Sequence, residues 1–162
     1  MENKKLLEEI RSYWNNRADG YSRVNQEELH SEQKEKWKEV LLEQLPKKEK
    51  DQVQILDIGT GPGFFAILLA EEGYQVTAVD YTEQMLQEAK SNAADLADQI
   101  SFKRMDAQNL EFPKETFDYI VTRNVTWNLE HPKRAYREWQ RVLKPGGKIL
   151  NFDANWYAYL YD

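Results

Sequence analysis

A chain of 162 residues, 41% hydrophobic and 31% charged, is one domain's worth and long enough to bury a substantial core. Its net charge of −6 argues against a nucleic-acid surface, which needs clustered Lys and Arg to neutralise phosphates. The absence of cysteine excludes disulfides, thiolate metal sites and cysteine nucleophiles, and no metal site is expected. Glu8 and Glu9 stand where a signal peptide would have its apolar region, and the longest apolar run, Phe64 to Ala70, is far too short to cross a bilayer. A cytoplasmic protein with no membrane partner is the expectation.

At the N-terminus Leu6, Leu7, Ile10, Tyr13 and Trp14 fall on one face of an amphipathic helix. The segment Asn15 to Ser22 reads as turn-rich, and a second helix is predicted from about Gln26 to Leu45 with Trp37, Val40, Leu41 and Leu45 facing inward. Pro46 and residues 47–51 form a solvated loop.

A strand follows from Val53 to Ile58, apolar enough to be buried on both faces, and it ends in a turn carrying Gly59, Gly61 and Gly63. Phe64 to Ala70 then make a helix that Gly73 stops. A turn without Cβ atoms lets a ligand approach the backbone, and the unpaired N–H groups of the helix start attract an anionic group. The dinucleotide fingerprint wants a glycine where Phe64 stands, which argues against nicotinamide. A second strand, Tyr74 to Val79, ends in Asp80, about twenty residues past the turn, where a carboxylate can accept from both hydroxyls of a ribose. Thr82 reads as the cap of the next helix, leaving Asp80 free for a ligand. Met85, Leu86, Ala89, Ala93, Leu96 and Ala97 continue at helical spacing. Ile100 to Met105 alternates like an edge strand and leads to Asp106 at the same carboxyl edge. A strand over Glu115 to Thr122 follows, then a helix from Pro132 to Leu143 for which His131 is a start residue, then a stop at Lys144-Pro145-Gly146-Gly147 and a strand at Lys148 to Phe152.

The Asp-x-Gly-x-Gly-x-Gly string from Asp57 to Gly63, Asp80, the Asp106-Ala107 pair and the string from Arg141 to Leu150 together resemble the class I S-adenosylmethionine-dependent methyltransferases. The resemblance implies an α/β Rossmann-like, doubly wound, mainly parallel sheet of about five strands with helices on both faces. Residues 1–50 would form an N-terminal helical cap and residues 51–162 the S-adenosylmethionine-binding core. It further implies that Asp57, Gly59, Thr60, Gly61, Gly63 and Phe64 hold the amino-acid end of the cofactor. Asp80 would take the ribose, Met85, Asp106 and Ala107 the adenine region, and Tyr13, Tyr81, Arg123 and Asn124 would also touch the cofactor. Tyr21, Trp127, Asn128, Asp153 and Trp156 would face a small-molecule methyl acceptor. No general base stands out; Asp153, Tyr21 and His30 are candidates and the catalytic role stays unassigned. The rival readings are a nicotinamide-dependent oxidoreductase and a non-catalytic module that binds the cofactor or a partner. The family usually continues beyond its fifth strand, whereas this sequence stops at Asp162. The expectation is an open edge bordered by Trp156, Tyr157, Tyr159 and Tyr161, in a truncated form of the domain or one that dimerises there.

Overall fold

In a computed structural model, residues 2–154 are described. Helix α1 runs over Glu2–Leu29 and α2 over Gln33–Glu43, and the alternation that follows is β1 (Gln54–Ile58), α3 (Phe64–Glu71), β2 (Gln75–Asp80), α4 (Glu83–Ala93), β3 (Ile100–Arg104), β4 (Phe117–Arg123), α5 (Pro132–Val142) and β5 (Leu143–Phe152). Every strand pair is parallel, in the order β3-β2-β1-β4-β5. The expected Rossmann-like sheet is therefore present. Strand order reverses between β1 and β4, and the crevice at their carboxyl ends is where open α/β sheets bind ligands.

Burial on both faces follows from the alternation along β1 and β4. Val53, Ile55, Tyr119 and Val121 pack toward α2 and α3, whereas Leu56, Ile58 and Ile120 pack toward Ala135 and Trp139 of α5. Trp139 is fully buried, and its indole N–H donates to the Ala107 carbonyl at 2.9 Å, which anchors the loop after β3. Gly63 precedes α3 at φ +93°, and a Cβ there would lie 3.0 Å from that of Ala89, so it sets the approach of α3 to α4. Gly63→Ala should lower stability by about 1–2 kcal/mol, read as a shift in the denaturant midpoint, from left-handed strain plus local overpacking.

Three expectations change. The segment Asn15 to Ser22 is not a turn: α1 runs straight through Gly20. A mid-helix glycine costs about 1 kcal/mol, and here packing outweighs it, because Ala18, Ser22 and Asn25 are buried beneath the helix. The break comes instead at Ser31, whose hydroxyl donates to the Glu28 carbonyl at 2.8 Å and accepts from the Gln33 N–H at 3.2 Å. Val40 is exposed, since α2 faces the core with Trp37 and Leu41, and Leu45 just past its end is buried with them. Finally, Lys144 to Gly147 do not simply end α5. They belong to β5 as a wide bulge, with Leu143 opposite Phe117 and Lys148 opposite Tyr119. Gly147 permits it, because a Cβ there would meet the Asp118 carbonyl at 2.9 Å. The aromatic residues expected after Asp153, Trp156 among them, lie outside the described residues.

Candidate cofactor and acceptor site

A cavity of about 300 Å³ opens at the carboxyl ends of β1, β2 and β4, beneath α1. Its floor is the turn from Gly59 to Pro62. Gly59 and Gly61 take left-handed φ values of +65° and +54°, and a side chain at Gly59 would run into Val125. Asp57 is buried below the turn, where its Oδ2 accepts from the Thr60 hydroxyl at 2.7 Å and the Ala66 N–H at 3.1 Å. Asp57 thus ties the turn to the start of α3 while also reaching the cavity wall.

Burial pushes the Asp57 carboxyl up to about 7, against the two hydrogen bonds that favour its ionised form. A carboxyl raised in the folded state binds its proton more tightly there than in the unfolded chain. It therefore contributes stability that is full below the unfolded pKa and lost as pH rises through about 7. The melting temperature should fall between about pH 4 and 7, at no more than about 1.4 kcal/mol per pH unit. Asp57→Asn, which keeps an acceptor for both donors, should flatten that slope in a thermal-melt series.

Asp80 does not stand free as expected, and Thr82 makes no side-chain cap. Instead Asp80 Oδ1 accepts from the Thr82 N–H and Oδ2 from the Gly61 N–H, both at 2.9 Å. The carboxylate holds the residue ahead of α4 and fastens the glycine turn at once, while still lining the cavity. Desolvation raises its pKa and the backbone N–H groups oppose the rise. Asp106 accepts from the Gln108 N–H at 2.9 Å in a tight turn, so Asp106 and Ala107 present that loop to the cavity beside Met85 and Tyr81.

Arg123, at the end of β4, makes a bidentate pair with Glu28 of α1 at 3.0 and 2.9 Å. Its guanidinium lies over the rings of Trp37, Phe64 and Phe65. Its role as built is to fasten α1 to the sheet edge, although it also reaches the cavity. Asn124 lines the cavity too, but its side chain accepts from the Ala154 N–H at 3.1 Å and so holds the chain leaving β5. Turned so that its oxygen faces Trp14, the Asn128 amide accepts from the Trp14 indole at 3.0 Å.

Several expected residues are not brought to the cavity. Tyr13 lies on the outer face of α1 beneath Arg17, a 100° step round the helix from Trp14. Gly63 serves helix packing. Asp153 is exposed past the end of β5, and His30 caps α1 by a 2.7 Å contact with the Gln26 carbonyl; neither lines the cavity. Conversely Leu7, Ile10, Arg11, Trp14, Asn25 and Glu28 of α1 line it, together with Met105, Gln108 and Glu130, none of which the sequence reading placed there. A signal existed: Leu7, Trp14, Tyr21 and Glu28 recur every seven residues, as do Arg11, Ala18 and Asn25. The assumed turn at Asn15 to Ser22 hid it.

A family profile described as a methyltransferase domain matches residues 56–151, from the strand beneath the glycine turn to the end of β5. The chain belongs to the class I S-adenosylmethionine-dependent methyltransferases. It is similar to a ubiquinone biosynthesis O-methyltransferase of Coxiella burnetii, 31% identical over 109 residues that cover 66% of this chain and 47% of that one. Among solved structures it is similar to a SAM-dependent methyltransferase from Aquifex aeolicus, with 28% identity, a TM-score of 0.58 and coverage of 67% and 58% of the two chains. It is also similar to a phosphoethanolamine N-methyltransferase of Haemonchus contortus solved with phosphomonomethylethanolamine and S-adenosylhomocysteine, at 30% identity, TM-score 0.63 and coverage of 72% and 27%. The chain spans between 21% and 58% of the length of curated relatives that it matches. Among the described residues no helix is long and apolar enough to cross a membrane.

Proposed function

We propose that the chain binds S-adenosylmethionine and transfers its methyl group to a small-molecule acceptor. The observation that carries the reading is the Asp80 carboxylate bound to the Gly61 N–H inside a cavity at the strand-order reversal. Such a cavity is of the size that holds small ligands. The residues present fit the cofactor: the turn leaves room above the backbone at Gly61, Asp80 offers lone pairs to a ribose, and the loop of Asp106 and Ala107 offers a wall to a purine. When bound, the cofactor supplies an electrophilic methyl on a sulfonium. The protein's part is to hold donor and acceptor in line and to exclude water. Leu7, Ile10 and Trp14 of α1 do the excluding, in keeping with residues 1–50 as a cap on the core of residues 51–162. The names of the relatives support a small acceptor, and a cytoplasmic location accords with the composition. A homodimer along the β5 edge is the associated assembly, and a monomer by light scattering at micromolar concentration would refute that part.

Calorimetric titration with S-adenosylmethionine, S-adenosylhomocysteine and NAD tests the reading. Micromolar binding of the first two without NAD is expected. Binding of NAD in their place would point to the oxidoreductase, and no binding at all to a non-catalytic module.

A further inference from the structure

The ionic side chains around the cavity are mostly engaged with the protein itself: Asp57 with Thr60 and Ala66, Asp80 with Gly61 and Thr82, Asp106 with Gln108, and Glu28 with Arg123. Arg11 differs. Its Nη1 donates to Glu8 at 3.0 Å, but its Nε is buried and has no hydrogen-bond partner among the described residues. The side chain as a whole is 29% exposed and lines the cavity, so an oxyanion on a ligand would meet the part of the guanidinium that Glu8 does not hold.

One turn further along α1 stands Trp14, with Tyr21 at a centroid distance of 5.0 Å and Trp127 at 6.2 Å, both nearly perpendicular to it. Both indole N–H groups are used within the protein, Trp14 toward Asn128 and Trp127 toward the Asn124 carbonyl at 2.7 Å. This wall therefore presents carbon to a ligand, with the Tyr21 hydroxyl as its polar point. A polyol would lose its hydration against such a wall without replacement, whereas a flat ring gains contact area and edge-to-face attraction.

We infer that the acceptor is a planar aromatic acid, its ring against Trp14, Tyr21 and Trp127 and its carboxylate taken by Arg11. This rests on the methyltransferase reading above and gives its acceptor a chemical class. Arg11 and Trp14 are acceptor-recognition residues, supplied by the cap helix and absent from the glycine-turn machinery.

The test uses the whole chain saturated with S-adenosylhomocysteine, titrated calorimetrically with 4-hydroxybenzoate and with its neutral counterpart 4-hydroxybenzyl alcohol. The carboxylate should bind at least about tenfold more tightly, the range expected for one charge-assisted hydrogen bond in a half-buried site. Arg11→Gln should erase that difference and leave S-adenosylhomocysteine affinity within about threefold, and Arg11→Lys should restore part of it. Trp14→Ala should weaken both probes alike. Equal affinity for the two probes, no binding of either, or a more than tenfold loss of S-adenosylhomocysteine binding in Arg11→Gln would overturn the inference and leave the methyltransferase reading standing. Failure of the unaltered chain to bind S-adenosylhomocysteine would remove that reading and this one together.

Discussion

Asp80→Ala should lower the affinity for S-adenosylhomocysteine by about 100-fold or more. Two charge-assisted hydrogen bonds to a ribose are worth roughly 1.5–3 kcal/mol each, and about 2.7 kcal/mol already corresponds to that factor. The loss goes beyond the ligand, because the carboxylate also accepts from the Gly61 and Thr82 N–H groups. Without it the glycine turn loses the contact that fixes its backbone beside β2, and the Thr82 N–H ahead of α4 loses its acceptor. A drop in stability of about 1–2 kcal/mol should accompany the binding defect, so titrations belong well below the melting temperature. Asp80→Asn retains one acceptor oxygen and should fall between, at about tenfold. Unchanged affinity in Asp80→Ala would refute the ribose assignment.

The second large effect is expected at Arg123. Its pair with Glu28 is bidentate, with side-chain exposures of 30% and 17%, and the guanidinium is stacked above three aromatic rings. Breaking a fully buried pair costs about 3–5 kcal/mol, and partial exposure brings that toward the lower end. Arg123→Ala should therefore destabilise the chain by about 2–3 kcal/mol in denaturant titration. It leaves the Glu28 carboxylate half-buried without its cation, so adding Glu28→Gln should recover part of the loss. Because this pair fastens α1 over the cavity, the single variant should also expose residues 2–29 to limited proteolysis before the sheet unfolds. Equal digestion rates in the variant and the parent would show that α1 is held by its other contacts alone. Those include Asn25 with the Pro62 carbonyl at 3.4 Å, Ser22 and Gln26 with Asn92, Trp14 with Asn128 and Glu8 with the Tyr81 hydroxyl.

Legibility in the sequence followed the range of the interaction involved. The sheet was readable because each strand announces itself locally: Val53, Ile55, Leu56 and Ile58 are a two-face-buried run, and the glycines after it mark the only backbone path into α3. Asp80 and Asp106 were readable because strand ends on one edge of a parallel sheet converge wherever the connections are right-handed. The cap was misread for the opposite reason. Gly20 and the polar residues around it weigh locally against a helix, and only the burial of Ala18, Ser22 and Asn25 against α4 and the glycine turn overrides them. A helix that stops at Trp14 sets Tyr13 and Trp14 together on one apolar face and leaves Arg11 and Glu28 off it.

The amino-acid sequence by itself determined the parallel αβ order, the glycine turn and the acids at its carboxyl edge, since these depend on neighbours within a few residues or on one repeating connection. The tertiary structure alone decided what each acid holds and what covers the cavity. Whether Asp80 meets a ligand or the Gly61 N–H, and which of two adjacent α1 aromatics faces inward, depends on contacts between residues far apart in the chain. The first kind of contact leaves no local pattern, and the seven-residue recurrence that marks the inner face of α1 is a pattern only once the helix runs unbroken through Gly20.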